Sequence, residues 1–187
     1  MNRFSQIVVG LSLLLALSGP ASAGPAAEPA GFWTGPMRGQ TPASLAGANV
    51  IDAKALAALI ASDRPLLIDV AAEEAKPAGM APDALWLPIH RSVPGSVWMP
   101  GAGDGALTPP QDALLTAQVD ALTAGAKAKP VVVFCHRDCW ASWNAAKRLV
   151  RQGYLRVYWF PDGVEGWQDA YEAGVIKQDP EWAARPR

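Results

Sequence analysis

The chain has 187 residues, a formal net charge of −1 and 50% apolar residues, which suits a globular protein with a sizeable core. Near-neutral charge without basic clusters argues against binding to nucleic acid or to an anionic membrane surface. Two cysteines are too few for a disulfide scaffold, and the two histidines lie far apart in sequence. No metal site and no other cofactor is therefore predicted.

Residues 1–23 have the pattern of an export signal. Arg3 gives a short positive region, an apolar run extends from Ile7 to Leu17, and residues 21–23 offer small side chains for cleavage. The apolar run is too short to span a bilayer comfortably, which argues against an uncleaved anchor. We therefore predict export to the periplasm, no stable membrane insertion, and about 164 residues (187 minus 23) after cleavage.

Residues 24–47 are rich in Ala, Gly and Pro and are predicted to form an extended arm. Three apolar side chains of this arm are expected to pack on the folded domain, in preference to binding a partner: Phe32, Trp33 and Met37. The domain itself is predicted over residues 48–176, followed by a C-terminal tail over residues 177–187.

The first half of the domain alternates between strand and helix patterns. Residues 50–51 predict a short strand, and Asp52 is a plausible N-cap for a helix whose apolar face comprises Leu56, Leu59 and Ile60. Pro65–Val70 predicts a strand buried on both faces. The segment that follows predicts an irregular loop with one short strand at Leu85–Leu87 and a structural role for His90. A helix is then expected from about residue 111 to 123.

The second half contains the stretch on which the function depends. Val131–Phe134 predicts a buried strand, and Cys135 follows it directly, ahead of a helix from Ala141 to Arg151 that Gly153 ends. A further strand, Arg156–Phe160, and an apolar-periodic segment complete the alternation. A thiol between a strand end and a helix N-terminus is easily held as thiolate, so we expect Cys135 to be the more acidic thiol.

These patterns resemble the rhodanese domain over roughly residues 49–173. The resemblance rests on a set of residues around the cysteine loop: Cys135 to Trp140, Ser142, Ala145-Ala146, Leu149, Gly153-Tyr154, Val157-Tyr158, Asp162-Gly163 and Gly166-Trp167. It implies an α/β fold with a parallel five-stranded sheet and helices on both faces, in agreement with the predicted alternation of elements.

A narrower resemblance involves the run from Cys139 to Arg148 and the upstream run Pro94–Trp98. These are similar to the CXXCW motif proteins associated with catabolism that depends on pyrroloquinoline quinone (PQQ), although this chain has three residues between its cysteines. The resemblance implies an exported accessory of a periplasmic quinoprotein dehydrogenase system, either as an enzyme or as a non-catalytic binding module.

The rhodanese resemblance also implies roles for residues of the loop. Cys135 is expected to accept sulfane sulfur from a donor such as a small sulfur-containing anion and to carry it as a persulfide to an acceptor such as a protein thiol. His136 and Arg137 add positive charge for an anionic donor, and Asp138 opposes it. Rhodanese loops often have a glycine near the middle and an arginine at the sixth position, and both are absent here.

Other residues have several open interpretations. Cys139 is expected either to resolve a Cys135 intermediate as a disulfide or to line the pocket. Trp140 is expected to wall the pocket. Asp69, which ends a strand as in rhodaneses, either supports the catalytic loop or is satisfied by nearby backbone. Ser142 and Asn144 are interpreted as helix-cap residues.

Overall fold

The structure, a computed structural model, describes residues 26–185. The predicted export signal, residues 1–23, lies outside this range, as do the first two residues of the predicted arm and the last two of the chain. Among residues 26–185 no helix is long and apolar enough to cross a membrane.

The elements alternate between strand and helix for most of the chain. In chain order they are β1 (Asn49–Val50), α1 (Ala53–Asp63), β2 (Leu66–Asp69), β3 (Arg91–Ser92), β4 (Val97–Trp98), α2 (Pro109–Leu122), β5 (Val131–Phe134), α3 (Trp140–Arg151), β6 (Val157–Phe160), α4 (Gly163–Gln168), β7 (Gly174–Val175) and α5 (Pro180–Ala183).

Five strands form one parallel sheet in the order β1-β6-β5-β2-β4. Alternate side chains of the central strand enter opposite layers of the core. Val131 and Val133 pack on one side with α2 and α3, and Val132 and Phe134 pack on the other with α1 and α4. The predicted α/β fold, with a parallel five-stranded sheet and helices on both faces, is therefore confirmed.

Local sequence signals determine the start of α1 and the end of α3. The Asp52 carboxylate accepts a hydrogen bond from the backbone N–H of Ala55 at 2.7 Å, so the predicted N-cap of α1 is confirmed. Gly153 adopts φ +83° directly after α3, and the backbone N–H of Tyr154 then donates to the Leu149 carbonyl at 3.1 Å. This is the expected glycine stop.

The segment between β2 and β4 differs from the prediction. Leu85–Leu87 forms no strand within the described chain, and both leucines are largely exposed. The Lys76 ammonium instead joins the Pro82 and Ala84 carbonyls, which holds the loop to itself. The strand in this region is β3, which pairs antiparallel with β7 in a separate two-stranded sheet.

Both ends of the described chain pack on the domain. The arm lies along α3. The Trp143 indole donates to the Ser44 carbonyl, and the Lys147 ammonium donates to the Pro29 carbonyl. Packing of the arm was the favoured interpretation and is confirmed. The tail boundary at residue 176 is wrong as a limit of the packed core, because Trp182 of α5 is fully buried and donates to the Pro100 carbonyl at 2.8 Å.

Candidate functional site

The cysteine loop, residues 135–140, connects the end of β5 to the start of α3. The backbone N–H of Val164 donates to the Cys135 carbonyl at 2.8 Å and ties the loop to α4. Gly163 allows this approach, because it has φ +56° and a Cβ there would lie 2.2 Å from that carbonyl oxygen. Asp138 turns the loop back with φ +53°, and Cys139 takes the N-cap position of α3.

Cys135 lies beneath the loop and is fully buried. Its Sγ is 3.6 Å from the carbonyl oxygens of His136 and Cys139, so its single hydrogen can be donated to either of them. Burial raises the pKa of Cys135 well above its ordinary value, and the neighbouring Cys139 raises it further. Cys135 is therefore the neutral thiol of the pair.

Cys139 has the opposite electrostatic character, although it too is largely buried. The hydrogen bond from the Cys135 thiol lowers the pKa of Cys139 to about 6, against the effect of burial. The backbone N–H groups of Ala141 and His136 and the positive charge of Arg38 contribute to the same shift. These surroundings favour the thiolate at Cys139 and disfavour it at Cys135, the thiol expected to be more acidic, because the Cys135 sulfur faces carbonyl oxygens in a dry site.

The outer face of the loop is polar and balanced in charge. His136 Nδ1 lies 2.8 Å from the Glu165 carboxylate, which also accepts the backbone N–H of Arg137 at 2.9 Å. The Arg137 guanidinium pairs with Asp169. Burial raises the pKa of Glu165, but these hydrogen bonds outweigh it and leave that pKa lowered. The two side chains expected to attract an anionic donor, His136 and Arg137, thus each face a carboxylate, and Asp138 adds a further negative charge.

Trp140 faces the arm. Its indole stacks on that of Trp33, with 4.4 Å between ring centroids, and meets Trp143 edge to face. Its backbone N–H donates to the Met37 carbonyl at 2.8 Å. Trp140 and Trp33 together line a cavity of about 390 Å³. Trp140, which is predicted to wall the pocket, therefore borders a cavity between the cysteine loop and the arm.

Asp69 ends β2, the strand beside β5, and is fully buried. Its carboxylate accepts the Ala71 backbone N–H at 2.8 Å and the Ser92 hydroxyl at 2.5 Å, and lies 2.8 Å from His90 Nε2. His90 also stacks on Trp98. Asp69 thus organises the backbone between β2 and β4, which fits the second of its two interpretations.

Several residues at the site have roles that the sequence did not indicate. Ser142 is not the cap of α3: its hydroxyl donates to the Cys139 carbonyl and accepts from the Trp159 indole. Asn144 is also not a cap, because its amide binds both the N–H and the carbonyl of Trp33, each at 2.8 Å. Arg38 reaches the site through backbone pairing with Cys139. Except for the contact between Ser142 and the Cys139 carbonyl three residues away, these contacts join distant parts of the chain, so no local pattern could identify them.

Metal binding finds no support in the described part of the chain. Within residues 26–185, no three His, Cys, Asp or Glu side chains group in a way that could hold a metal ion. The candidate site therefore consists of two thiols, with paired polar side chains on the outer face of the loop and aromatic side chains on the face towards the arm.

The chain has similarity to known domains and structures. Residues 52–170 match the family model of the rhodanese-like domain. No curated protein matches the sequence significantly. Among solved structures, a thiosulfate sulfurtransferase from Pseudomonas aeruginosa is 18% identical with a TM-score of 0.45, over 70% of this chain and 21% of that one. A human single-domain sulfurtransferase is 18% identical with a TM-score of 0.39, over 68% of this chain and 99% of that one. The chain thus spans about a fifth of the bacterial protein's length.

Proposed function

This chain belongs to the rhodanese-like domain family, and from that membership we propose that it carries sulfane sulfur as a persulfide on its cysteine loop. The observation that supports the proposal most directly is the thiol pair, Cys135 and Cys139, in which a hydrogen bond from one thiol lowers the pKa of the other to about 6. A thiolate is the nucleophile in sulfur transfer, and the lowered pKa favours that form of Cys139 at neutral pH.

The thiol pair divides the work between its two members. The Cys139 thiolate attacks the outer sulfur of an organic persulfide, R–S–SH. A bond forms to Cys139 Sγ, the donor S–S bond breaks, and R–S⁻ leaves with the electron pair. The terminal sulfur of this Cys139 persulfide then passes to Cys135 once that thiol loses its proton, which regenerates the Cys139 thiolate. Cys135 thus keeps the role of persulfide carrier, in the buried position where water is excluded.

A second function, thiol–disulfide exchange, is favoured by the same contact between the thiols. If the Cys135 thiolate attacks the inner sulfur of the Cys139 persulfide, a Cys135–Cys139 disulfide forms and HS⁻ leaves. The two functions therefore differ in which sulfur is attacked. A short bridge of this kind is expected to be readily reducible, as working disulfides are.

The donor and the cellular setting form part of the proposal. An organic or protein-bound persulfide fits this loop better as donor than a small sulfur-containing anion, because His136 and Arg137 are already paired. Export through residues 1–23 and association with a periplasmic, PQQ-dependent quinoprotein dehydrogenase system are further proposals. They are supported by the sequence pattern of that segment and by the resemblance of the run from Cys139 to Arg148.

Intact mass spectrometry tests this proposal on the wild type and on two matched variants, Cys135→Ser and Cys139→Ser. After exposure to an organic persulfide, the wild type should gain one sulfur, and Cys135→Ser should hold it on Cys139. Cys139→Ser should load far more slowly, because its remaining thiol is neutral.

The other outcomes are equally informative. Full loading of Cys139→Ser would place sulfur entry at Cys135. Loss of two hydrogens from the wild type without any gain of sulfur would favour disulfide exchange. If no donor modifies either thiol, sulfur transfer is wrong and the chain acts as a binding module.

A further inference from the structure

The arm and Trp140, the residue that follows Cys139 at the start of α3, border an open cavity, here named the arm groove. It has a volume of about 390 Å³, within the range of roughly 300–1,000 Å³ typical of small-molecule sites. Its lining includes prolines, two tryptophans and one charged side chain: Pro29, Trp33, Pro36, Arg38, Gln40 and Trp140. The groove is therefore mainly apolar and large enough for an organic ligand.

The aromatic wall of the groove is held from behind. Trp33 and Trp140 lie nearly parallel, with 13° between their ring planes, and Trp143 supports Trp140 edge to face. The Asn144 amide clamps the backbone of Trp33 through two hydrogen bonds. Because these contacts fix both rings in the protein as it stands, binding an apolar group against them requires little reordering.

Arg38 gives the groove a positive charge next to the reactive sulfur. It pairs through its backbone with Cys139, and its charge contributes to the stability of the Cys139 thiolate. Within residues 26–185 no ion pair involves Arg38. No acidic residue lines the groove. By contrast, His136 and Arg137 on the outer face of the loop pair with Glu165 and Asp169.

We propose that the arm groove binds the organic part of the sulfur donor, a persulfide with an apolar or aromatic body that carries a carboxylate. Arg38 binds the carboxylate, and the partly exposed indole of Trp33, held in place by the buried Trp140, contacts the body. This inference rests on the proposed sulfur transfer, in which R–S⁻ leaves as sulfur bonds to Cys139. It identifies the class of R and makes Arg38 a specificity-determining residue.

Two aryl disulfides of opposite design probe this recognition. Dithiobis(nitrobenzoate) carries carboxylates and dithiodipyridine is uncharged, and in each case attack by a thiolate forms a mixed disulfide and releases a coloured aryl thiolate. The measurement uses the Cys135→Ser background, which leaves Cys139 as the reacting thiol. The ratio of the two rates is compared with and without Arg38→Gln. Any change in the pKa of Cys139 slows both reactions and cancels in the ratio.

We expect Arg38→Gln to lower the ratio of charged to neutral probe about tenfold, the effect of losing one good charge contact. Arg156→Gln, which removes an exposed arginine paired with Asp63, serves as the matched control and should leave the ratio unchanged. An unchanged ratio in Arg38→Gln would overturn the proposal. A fall in Arg137→Gln instead would place anion recognition on the outer face of the loop and would also overturn it.

A second readout separates this proposal from sulfur transfer. In the double variant Cys135→Ser/Cys139→Ser, nitrobenzoate should quench tryptophan fluorescence in a saturable way, and Arg38→Gln should weaken that binding about tenfold. If nitrobenzoate binds but the wild type forms no persulfide, the proposal for the arm groove stands and the proposal of sulfur transfer is wrong. If the wild type forms a persulfide but nitrobenzoate does not bind, the proposal of sulfur transfer stands and the proposal for the arm groove is wrong.

Discussion

Two neighbouring parallel strands, β2 and β5, end in side chains of opposite chemical character. Asp69, at the end of β2, has short hydrogen bonds to Ala71 and Ser92 and a close contact with His90. Cys135, just after β5, has sulfur–oxygen contacts of 3.6 Å. Both groups are fully buried, so burial alone does not distinguish them.

The difference lies in how completely each buried group is satisfied. Asp69, His90 and Ser92, here named the Asp69 cluster, form strong hydrogen bonds that fix the backbone between β2 and β4. The thiol pair has only weak hydrogen bonds, from the Cys135 sulfur to two carbonyl oxygens at 3.6 Å, and the pKa values of its two members shift in opposite directions. The carboxyl edge of a parallel sheet therefore holds a structural cluster at one strand and a reactive group at the next.

The largest effect is expected from breaking the Asp69 cluster. Asp69→Ala removes the partner of His90, the Ser92 hydroxyl and the Ala71 N–H, and should lower the free energy of unfolding by about 3–5 kcal/mol. Denaturant unfolding measures this loss, with Ser92→Ala as a milder control that removes one contact. A loss for Asp69→Ala no larger than that for Ser92→Ala would show that the cluster does not act as a unit.

A change within the thiol pair should alter reactivity more than folding. Cys135→Ala removes the hydrogen bond that lowers the pKa of Cys139, so that pKa should rise from about 6 towards the ordinary thiol value of about 8.5. The pH dependence of alkylation at Cys139 measures it. Cys135→Ser keeps a hydroxyl donor and should show a smaller rise. Equal midpoints in wild type and Cys135→Ala would contradict the assigned hydrogen bond.

The thiol pair should also give stability a characteristic dependence on pH. The pKa of Cys139 is lowered in the folded state, so the folded protein binds fewer protons than the unfolded chain between pH 6 and about 8.5. Stability from this group therefore rises with pH through that window and is lost as pH falls through 6. The pKa of Cys135 is raised, so its contribution is lost above about pH 8.5. Unfolding curves of wild type and Cys139→Ser across pH test this: the variant should lack the rise.

The smallest effect is expected on the outer face of the loop. Arg137→Gln breaks an ion pair with Asp169 in which both side chains are substantially exposed. Solvent screens such pairs, so the melting temperature and the pKa of Cys139 should not change measurably. Thermal melts at low and high salt check this prediction. A clear loss of stability at low salt would mean that the ion pair helps to hold the loop in place.

Sequence patterns predicted the features of this fold that local interactions determine. The continuous apolar runs of β2 and β5 identify strands buried on both faces, and Asp52 and Gly153 mark helix ends through their own backbone preferences. The parallel five-stranded sheet follows from the alternation of such elements. These features could be predicted because each needs only neighbouring residues.

The chemical state of the site could not be predicted in the same way. The sequence identified both cysteines and favoured the thiolate at Cys135, whereas the surroundings in the structure favour it at Cys139, because the directions of the loop carbonyls depend on the αL turn at Asp138 and on pairing with the arm. The two-residue strands β3 and β7 are too short to give a periodic pattern. The burial of Trp182 depends on packing against a distant part of the chain.

The arm has a consequence for the order in which the molecule assembles. Its hydrogen bonds to α3 join residues between 99 and 121 positions apart, such as Ser44 with Trp143 and Ala30 with Arg151. Contacts between such distant residues are costly to close, so we expect the arm to dock late, after the sheet has formed. Until then the cysteine loop lacks the backbone partners that Met37 and Gly39 provide. Before the arm docks, a newly made chain is therefore expected to expose both sulfurs to oxidants and sulfur donors. An oxygen or sulfur atom that a thiol gains in that interval is enclosed when the arm docks.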